Sequence, residues 1–144
     1  NLGCKEIHIV GRDPNNLERF YQSWSHSSKI TALLKIHNWN NLSSLIPAAD
    51  LLVNTTPVGM SPHVDASPVE ESLMQKLKPK AIAYDLIYTP NPTQFLIQAQ
   101  AQDAIAIDGL EMLVQQGVAA LEIWLKQTVP VDVMRDSLKE YLGL

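Results

Sequence analysis

Apolar positions along the 144-residue chain alternate between two spacings. Short continuous apolar runs are typical of buried parallel strands, and apolar residues that recur every three or four positions indicate the inner face of a helix. Strands are predicted at Glu6–Val10, Thr31–Ile36, Asp50–Asn54, Ala81–Leu86 and Ala104–Ile107. Helices are predicted at Pro14–Trp24, Asn41–Ile46, Val69–Leu77, Thr93–Gln102, Gly109–Lys126 and Val131–Leu142. This alternation predicts an α/β fold in which a doubly wound parallel sheet is covered by helices on both faces.

The longest predicted helix follows a strand without a connecting loop. Asp108 suits its N-cap, and the helix N-terminus at Gly109 would present free backbone N–H groups to a ligand. At about 100° per residue, Gln115 falls on the polar face with Glu111. Gln116 falls on a flank beside the apolar stripe, where a half-buried amide needs a hydrogen-bonding partner. Spacing alone favours an amide that caps a neighbouring loop. The stripe is formed by Leu110, Leu113, Val114, Gly117, Val118, Leu121, Trp124 and Leu125.

Composition excludes several classes of protein. The net charge is −4 and no basic cluster occurs, which argues against a nucleic-acid-binding surface. The single cysteine, Cys4, permits neither an intrachain disulfide nor a thiolate metal site, and the four histidines lack the spacing of metal ligands. No apolar run is long enough to span a membrane and no signal peptide is present, so a single cytoplasmic domain is expected. A chain that begins with Asn1 suggests a fragment.

Ligands of open parallel sheets bind outside the carboxyl ends of the strands. Candidate site segments are therefore 11–13, 54–59, 86–88 and 108–109. No G-x-G-x-x-G sequence occurs, and no Ser-His-Asp or Cys-His arrangement can be assembled. Spacing alone predicts a doubly wound domain whose ligand is unknown.

Four segments together indicate a family, and the last two are specific as a pair: Gly11-Arg12-Asp13, residues 54–60, residues 84–90 with Thr93, and residues 108–116. In order and separation they resemble the C-terminal nucleotide-binding half of shikimate dehydrogenase. The resemblance implies a Rossmann-like domain, truncated at its N-terminus, that binds NADP(H). It also implies reversible hydride transfer between the nicotinamide and shikimate/3-dehydroshikimate, in the pathway to chorismate and the aromatic amino acids.

The resemblance assigns roles to individual residues. Arg12 would grip the 2′-phosphate of NADP, which a guanidinium suits. Thr56 would line the nicotinamide ribose, and the backbones of Leu86 and Gly109 would contact the cofactor. Two residues would bind the substrate: Tyr88 through its hydroxyl and Gln116 through its side-chain amide. Four of these residues also have an ordinary structural interpretation. Arg12 would be a solvated surface arginine and Thr56 a strand-to-loop exit. Tyr88 would be a half-buried aromatic side chain and Gly109 a helix-start glycine.

Two positions depart from the family's Asn-Arg-Thr motif. Gly11 replaces the asparagine and Asp13 replaces the threonine. An acidic residue after this strand can accept a hydrogen bond from a ribose 2′-OH, which would favour NAD and an NAD-preferring quinate/shikimate dehydrogenase. Alternatively, Asp13 is only the N-cap of the helix that begins at Pro14. We favour the cap, because Asp-Pro is a strong helix start.

In the family, the lysine and aspartate that transfer the proton belong to an N-terminal domain that has no counterpart here. The first strand and glycine-rich loop of the nucleotide domain have none either. We therefore expect the chain alone to be inactive and to bind NADP weakly. Loss of a central strand would leave two free edges, which predicts either direct pairing of the strands at Ile7 and Asp50 or self-association. A non-catalytic nucleotide-binding module is the alternative from a different functional class.

Overall fold

The structure is a computed structural model that describes residues 3–144. Strands and helices alternate, as the sequence predicts. The strands are β1 (Ile7–Gly11), β2 (Leu34–Asn38), β3 (Leu51–Asn54), β4 (Ile82–Asp85) and β5 (Ile105–Ile107). The helices are α1 (Pro14–Ser23), α2 (Ser28–Thr31), α3 (Leu42–Leu45), α4 (Glu71–Met74), α5 (Gln94–Gln100), α6 (Leu110–Leu125) and α7 (Val131–Leu142). Two short 3₁₀ turns, Trp39–Asn41 and Ile46–Ala48, flank α3.

All strand pairs are parallel, as predicted, but the strands form two sheets. One sheet has the order β1-β2 and the other the order β3-β4-β5. The predicted direct pairing of the strands at Ile7 and Asp50 is wrong: within residues 3–144, β1 pairs with β2 and β3 pairs with β4. Within each of the two sheets, a strand pairs with the next strand along the chain, because a connecting helix returns the chain to the same end of the sheet.

The chain divides into two compact units. The first ends at Ala48 and contains the two-stranded sheet, and the second runs from Ala49 to Leu144 and contains the three-stranded sheet. The sequence predicts a single domain. Hydrophobic spacing identifies strands and helices, but it does not show which strands share a sheet, so the sequence does not reveal this division.

One face of the three-stranded sheet supports the core of the second unit. Helix α5 packs against β4 and β5, and its Phe95, Leu96 and Ala99 are buried. On the opposite face of this sheet, the apolar residues of the edge strands β3 and β5 are between 40% and 54% exposed: Leu51, Val53, Ile105 and Ile107.

Helix α6 begins one residue later than predicted. Gly109 is its N-cap, although the Asp108 carboxylate still accepts a hydrogen bond from the Leu110 N–H at 2.9 Å. The predicted apolar stripe is buried at Leu110, Val114 and Val118 but ends before the last turn, where Trp124 is 75% exposed.

Helix α7 is tied to the start of α6 by a bidentate contact. Arg135 donates from Nε and Nη2 to the two carboxylate oxygens of Glu111, at 2.7 and 2.9 Å. These hydrogen bonds, with one from Gln115, lower the pKa of Glu111 to about 2. The predicted polar face of α6, with Glu111 and Gln115 together, is confirmed.

Candidate functional site

A cavity of about 360 Å³ lies at the carboxyl ends of β3 and β4. The loop after β3 forms one wall and the segment after β4 forms the other, which is where a ligand site of a parallel sheet is expected. Thr56, Leu86 and Tyr88, three of the predicted site residues, are thereby brought together. The full lining is Thr55, Thr56, Pro57, Met60, Leu86, Ile87, Tyr88 and Thr89.

Gly109 lies directly behind the second wall. A Cβ atom at this position would lie 2.0 Å from the Leu86 carbonyl oxygen and 2.5 Å from its carbon, so a side chain cannot be accommodated. The Gly109 N–H also donates to the Ile87 carbonyl at 3.1 Å. This glycine is required by the close approach of two backbones, a reason that the sequence does not reveal.

Two buried polar residues lie behind the cavity. Asn54 belongs to the predicted segment 54–59 but had no role assigned to it, and Asp85 lies outside the predicted segments. Asn54 and Asp85 end β3 and β4, lie opposite each other in the register, and are 3% and 0% exposed. The sequence does carry a signal for them, since each is a polar residue at the last position of an otherwise apolar strand. Neighbouring parallel strands place such terminal residues side by side.

The two predicted substrate-binding residues differ in their placement. Tyr88 lines the cavity and is 37% exposed. Gln116 is exposed rather than half-buried, which corrects the helical-wheel expectation. Its flank of α6 is open to solvent, because Met112 and Ile123, its neighbours on that flank, are 37% and 74% exposed.

The first unit holds the other three predicted residues. Gly11, Arg12 and Asp13 border a second cavity, of about 370 Å³, at the carboxyl end of β1. Asp13 is the N-cap of α1, as predicted, and its Oδ1 accepts from the backbone N–H groups of Asn15 at 2.8 Å and Asn16 at 3.4 Å.

Arg12 is the one cationic side chain among the residues that line this cavity. Pro14 has no N–H, and the next two N–H groups of the helix are already bonded to Asp13. Arg12 is exposed, and within residues 3–144 its guanidinium forms neither a hydrogen bond nor an ion pair. The geometry of a guanidinium fork matches that of a phosphate group.

Other kinds of site are not found in the described part of the chain. No group of three or more His, Cys, Asp or Glu side chains in residues 3–144 could hold a metal ion. In the same residues, no helix combines the length and apolar character needed to cross a bilayer.

The chain is similar to known shikimate dehydrogenases. The family model for the Shikimate 5'-dehydrogenase C-terminal domain matches residues 109–139. A shikimate dehydrogenase (NADP(+)) from Trichormus variabilis is 60% identical over 144 residues, and one from Gloeothece citriformis is 57% identical over 143 residues. Each alignment covers 99% of this chain, and the chain spans about half the length of these curated relatives (50% and 49%).

A solved structure agrees with the sequence comparison. The chain is 27% identical, with a TM-score of 0.80, to shikimate 5-dehydrogenase from Listeria monocytogenes in complex with shikimate and NAD. The match covers 93% of this chain and 47% of that one. The predicted α/β, Rossmann-like fold class is confirmed by this similarity and by the parallel sheets.

Proposed function

Given that this chain is a homologue of the C-terminal half of the shikimate dehydrogenases, we propose that it forms the NADP(H)-binding half of an enzyme that interconverts 3-dehydroshikimate and shikimate. The reaction belongs to the biosynthesis of chorismate and the aromatic amino acids. NADP(H), when bound, accepts or supplies the hydride.

The observation that carries this proposal is the cavity at the carboxyl ends of β3 and β4. Its walls combine apolar side chains with the hydroxyls of Thr56 and Tyr88, which suits a flat, weakly polar ring attached to a ribose. We assign Thr56, Leu86 and Gly109 to the nicotinamide end of the cofactor. Tyr88 and the exposed amide of Gln116 are assigned to the substrate.

Cofactor preference follows from the first unit. The guanidinium of Arg12, which has no partner within residues 3–144, offers a charge-assisted contact to a 2′-phosphate, and Gly11 keeps the strand end small beside it. One carboxylate oxygen of Asp13 is used by the helix cap, so this residue is a poorer acceptor for a ribose 2′-OH. These contacts favour NADP over NAD.

Proton transfer is assigned to groups outside this chain. Removing a hydride from a secondary alcohol also requires a base to take the hydroxyl proton. The residues that line the cavity include no carboxylate, imidazole or amine, and Tyr88 is their one titratable side chain. We therefore expect the chain alone to bind cofactor without turning over shikimate.

Arg12→Ala tests the proposal, with Arg19→Ala as the matched control. Arg19 is an exposed arginine of α1 whose guanidinium donates to Asn16. Isothermal titration of the 144-residue chain should give an NADP⁺ affinity about 10- to 100-fold lower for Arg12→Ala, the cost of one charge-assisted contact, with NAD⁺ affinity unchanged.

The other outcomes are equally informative. Tighter binding of NAD⁺ than of NADP⁺ by the unmodified chain, with no effect of Arg12→Ala, would favour the NAD-preferring alternative. Equal affinities for the two nucleotides would contradict the assignment of Arg12 to the 2′-phosphate. Absence of binding by either nucleotide at millimolar concentration would contradict the proposal.

A further inference from the structure

A buried carboxylate joins three segments that surround the cavity. Asp85, fully buried at the end of β4, accepts hydrogen bonds at Oδ1 from the Asn54 amide and from the Ile87 backbone N–H, both at 3.0 Å. Its Oδ2 accepts from the Thr93 hydroxyl at 2.7 Å. Thr93 is itself buried, and its hydroxyl oxygen accepts from the Leu96 N–H as the N-cap of α5. Both carboxylate oxygens are thus used. Oδ1 joins the end of β3 to the segment after β4, and Oδ2 joins them to the N-terminus of α5.

Asn54 extends this arrangement into the loop after β3. Its side-chain oxygen accepts from both the backbone N–H and the hydroxyl of Thr56, at 3.0 and 2.8 Å. Its side-chain nitrogen donates to the Val58 carbonyl at 3.3 Å as well as to Asp85. The Thr56 hydroxyl oxygen in turn accepts from the Val58 N–H at 3.3 Å. The start of this loop is therefore held through Asn54, and Asn54 is held by Asp85.

Neither Asp85 nor Asn54 lines the cavity, but the residues that they hold do. Thr56 belongs to one wall and Ile87 to the other. We propose that Asp85 is a positioning residue that fixes the two walls of the cavity relative to each other and so sets its fit to the nicotinamide end of the cofactor. The identity of the ligand in this inference rests on the proposed function. The effect of Asp85 on the position of the two walls does not depend on it.

A carboxylate is needed at this position for a physical reason. Three donors, an amide, a backbone N–H and a hydroxyl, converge on one buried side chain, and an ionised carboxylate is an acceptor at both oxygens. Hydrogen bonds to a charged group are shorter and about twice as strong as neutral ones. An asparagine would present a second donor to Thr93, leaving the hydroxyl hydrogen without its acceptor.

The test compares two variants of the network with a matched surface change. Asp85→Asn removes the charge and keeps the shape, whereas Thr93→Val removes the donor to Oδ2 and keeps the carboxylate. Thr128→Val repeats the second chemical change at an exposed threonine after α6. Thr93→Ser restores a hydroxyl and should restore the wild-type behaviour. Two readouts are used, namely backbone hydrogen exchange, and binding of two half-ligands that separate the ends of the cofactor.

We expect Asp85→Asn and Thr93→Val to speed exchange about tenfold or more at the amides of Val58 and Ile87, with exchange of Leu52 and Ala83 inside the strands unchanged. Reduced nicotinamide mononucleotide should bind about tenfold more weakly to both variants. Adenosine 2′,5′-bisphosphate, which carries only the other end of the cofactor, should bind as it does to the wild type.

Three results would overturn the inference. They are unchanged exchange in both loops, unchanged binding of reduced nicotinamide mononucleotide, or an equal loss of both half-ligands, which would mean general destabilisation. If the unmodified chain bound neither half-ligand, the proposed function would fail. The exchange measurement would still decide whether Asp85 holds the walls. Since Thr93→Val leaves Asp85 intact, the test remains available if Asp85→Asn does not fold.

Discussion

At the scale of single residues, the most restrictive contact is that between Gly109 and the Leu86 carbonyl. We predict that Gly109→Ala destabilises the chain by about 2 kcal/mol or more, because the added methyl group meets backbone atoms that cannot move independently. Urea unfolding followed by circular dichroism measures the change.

Gly117→Ala is the matched control for this substitution. Its added Cβ would meet only the flexible end of the Met134 side chain, at 3.2 Å, and alanine is about 0.5–1 kcal/mol better than glycine inside a helix. This variant should be neutral or stabilised. Similar unfolding midpoints for the two variants would contradict the steric explanation.

Residue roles were predictable from the sequence where they depend on immediate neighbours. The Asp13 cap follows from the Asp-Pro pair, and the Glu111–Gln115 contact follows from helical spacing. The role of Asp85 joins residues that are 31 and 8 positions away, which no local pattern reports. Gln116 was misplaced because a helical wheel gives the direction of a side chain but not whether another element lies there.

At the scale of elements, the pairing of β1 with β2 makes a pH-sensitive contact. Nδ1 of His8 lies 2.9 Å from Nε2 of His37, and their rings stack with centroids 5.0 Å apart. Burial lowers the pKa of His37, and the nearby His8 and Lys35 lower it further. Glu6, bonded to both His8 and Lys35, is the acidic group of this cluster.

A lowered pKa means that the folded chain binds fewer protons than the unfolded chain at the same pH. The contribution of His37 is therefore present above the unfolded pKa of about 6.5 and is lost as the pH falls below that value. We predict that the unfolding free energy decreases from pH 7.5 to pH 5.5 and that His37→Gln reduces this decrease. Urea titrations at several pH values measure it. His63→Gln changes an exposed histidine of the second unit and should have the same pH profile of unfolding free energy as the wild type. If His37→Gln also had the wild-type profile, the prediction would be wrong.

Most elements were predictable because apolar spacing survives in short segments, but their ends were not. The second strand was predicted from Thr31, whereas Thr31 ends α2 and its hydroxyl donates to the carbonyls of Trp24 and Ser27. The helix predicted at Val69–Leu77 is reduced to α4, Glu71–Met74. In both cases, turns and side-chain hydrogen bonds at the ends of a segment replaced the regular backbone pattern.

At the scale of the whole molecule, the three-stranded sheet has exposed apolar residues on its edge strands. Leu51 and Val53 on β3 are 48% and 40% exposed, and the outer edge of β3 has no strand partner among residues 3–144. Such an edge can pair with another chain. The predicted self-association through sheet edges therefore stays a prediction, with a second copy of this chain as the partner.

We predict that sedimentation equilibrium detects a concentration-dependent increase in mass. Val53→Lys should reduce this increase, since a lysine on an edge strand opposes pairing. Val133→Lys places the same change on α7, where Val133 is 60% exposed, and should leave the association unchanged. A monomer at all concentrations, or equal effects of the two variants, would contradict this prediction.

The α/β class and the parallel strands were predictable from the order of the elements. Their division into two sheets was not, because sheet membership depends on contacts across the molecule that hydrophobic spacing does not encode. The site residues of the second unit were predicted together because strand ends in a parallel sheet share one edge.

Thr93 gives this site a reach beyond its own walls. The same hydroxyl caps α5 and bonds to Asp85, so one atom belongs both to a helix terminus and to the support of the cavity. Thermodynamic reciprocity makes any coupling between these two bonds equal in both directions. If ligand in the cavity tightens the support through Asp85, fraying of α5 decreases by the same coupling free energy, and exchange of the first amides of α5 reports that binding.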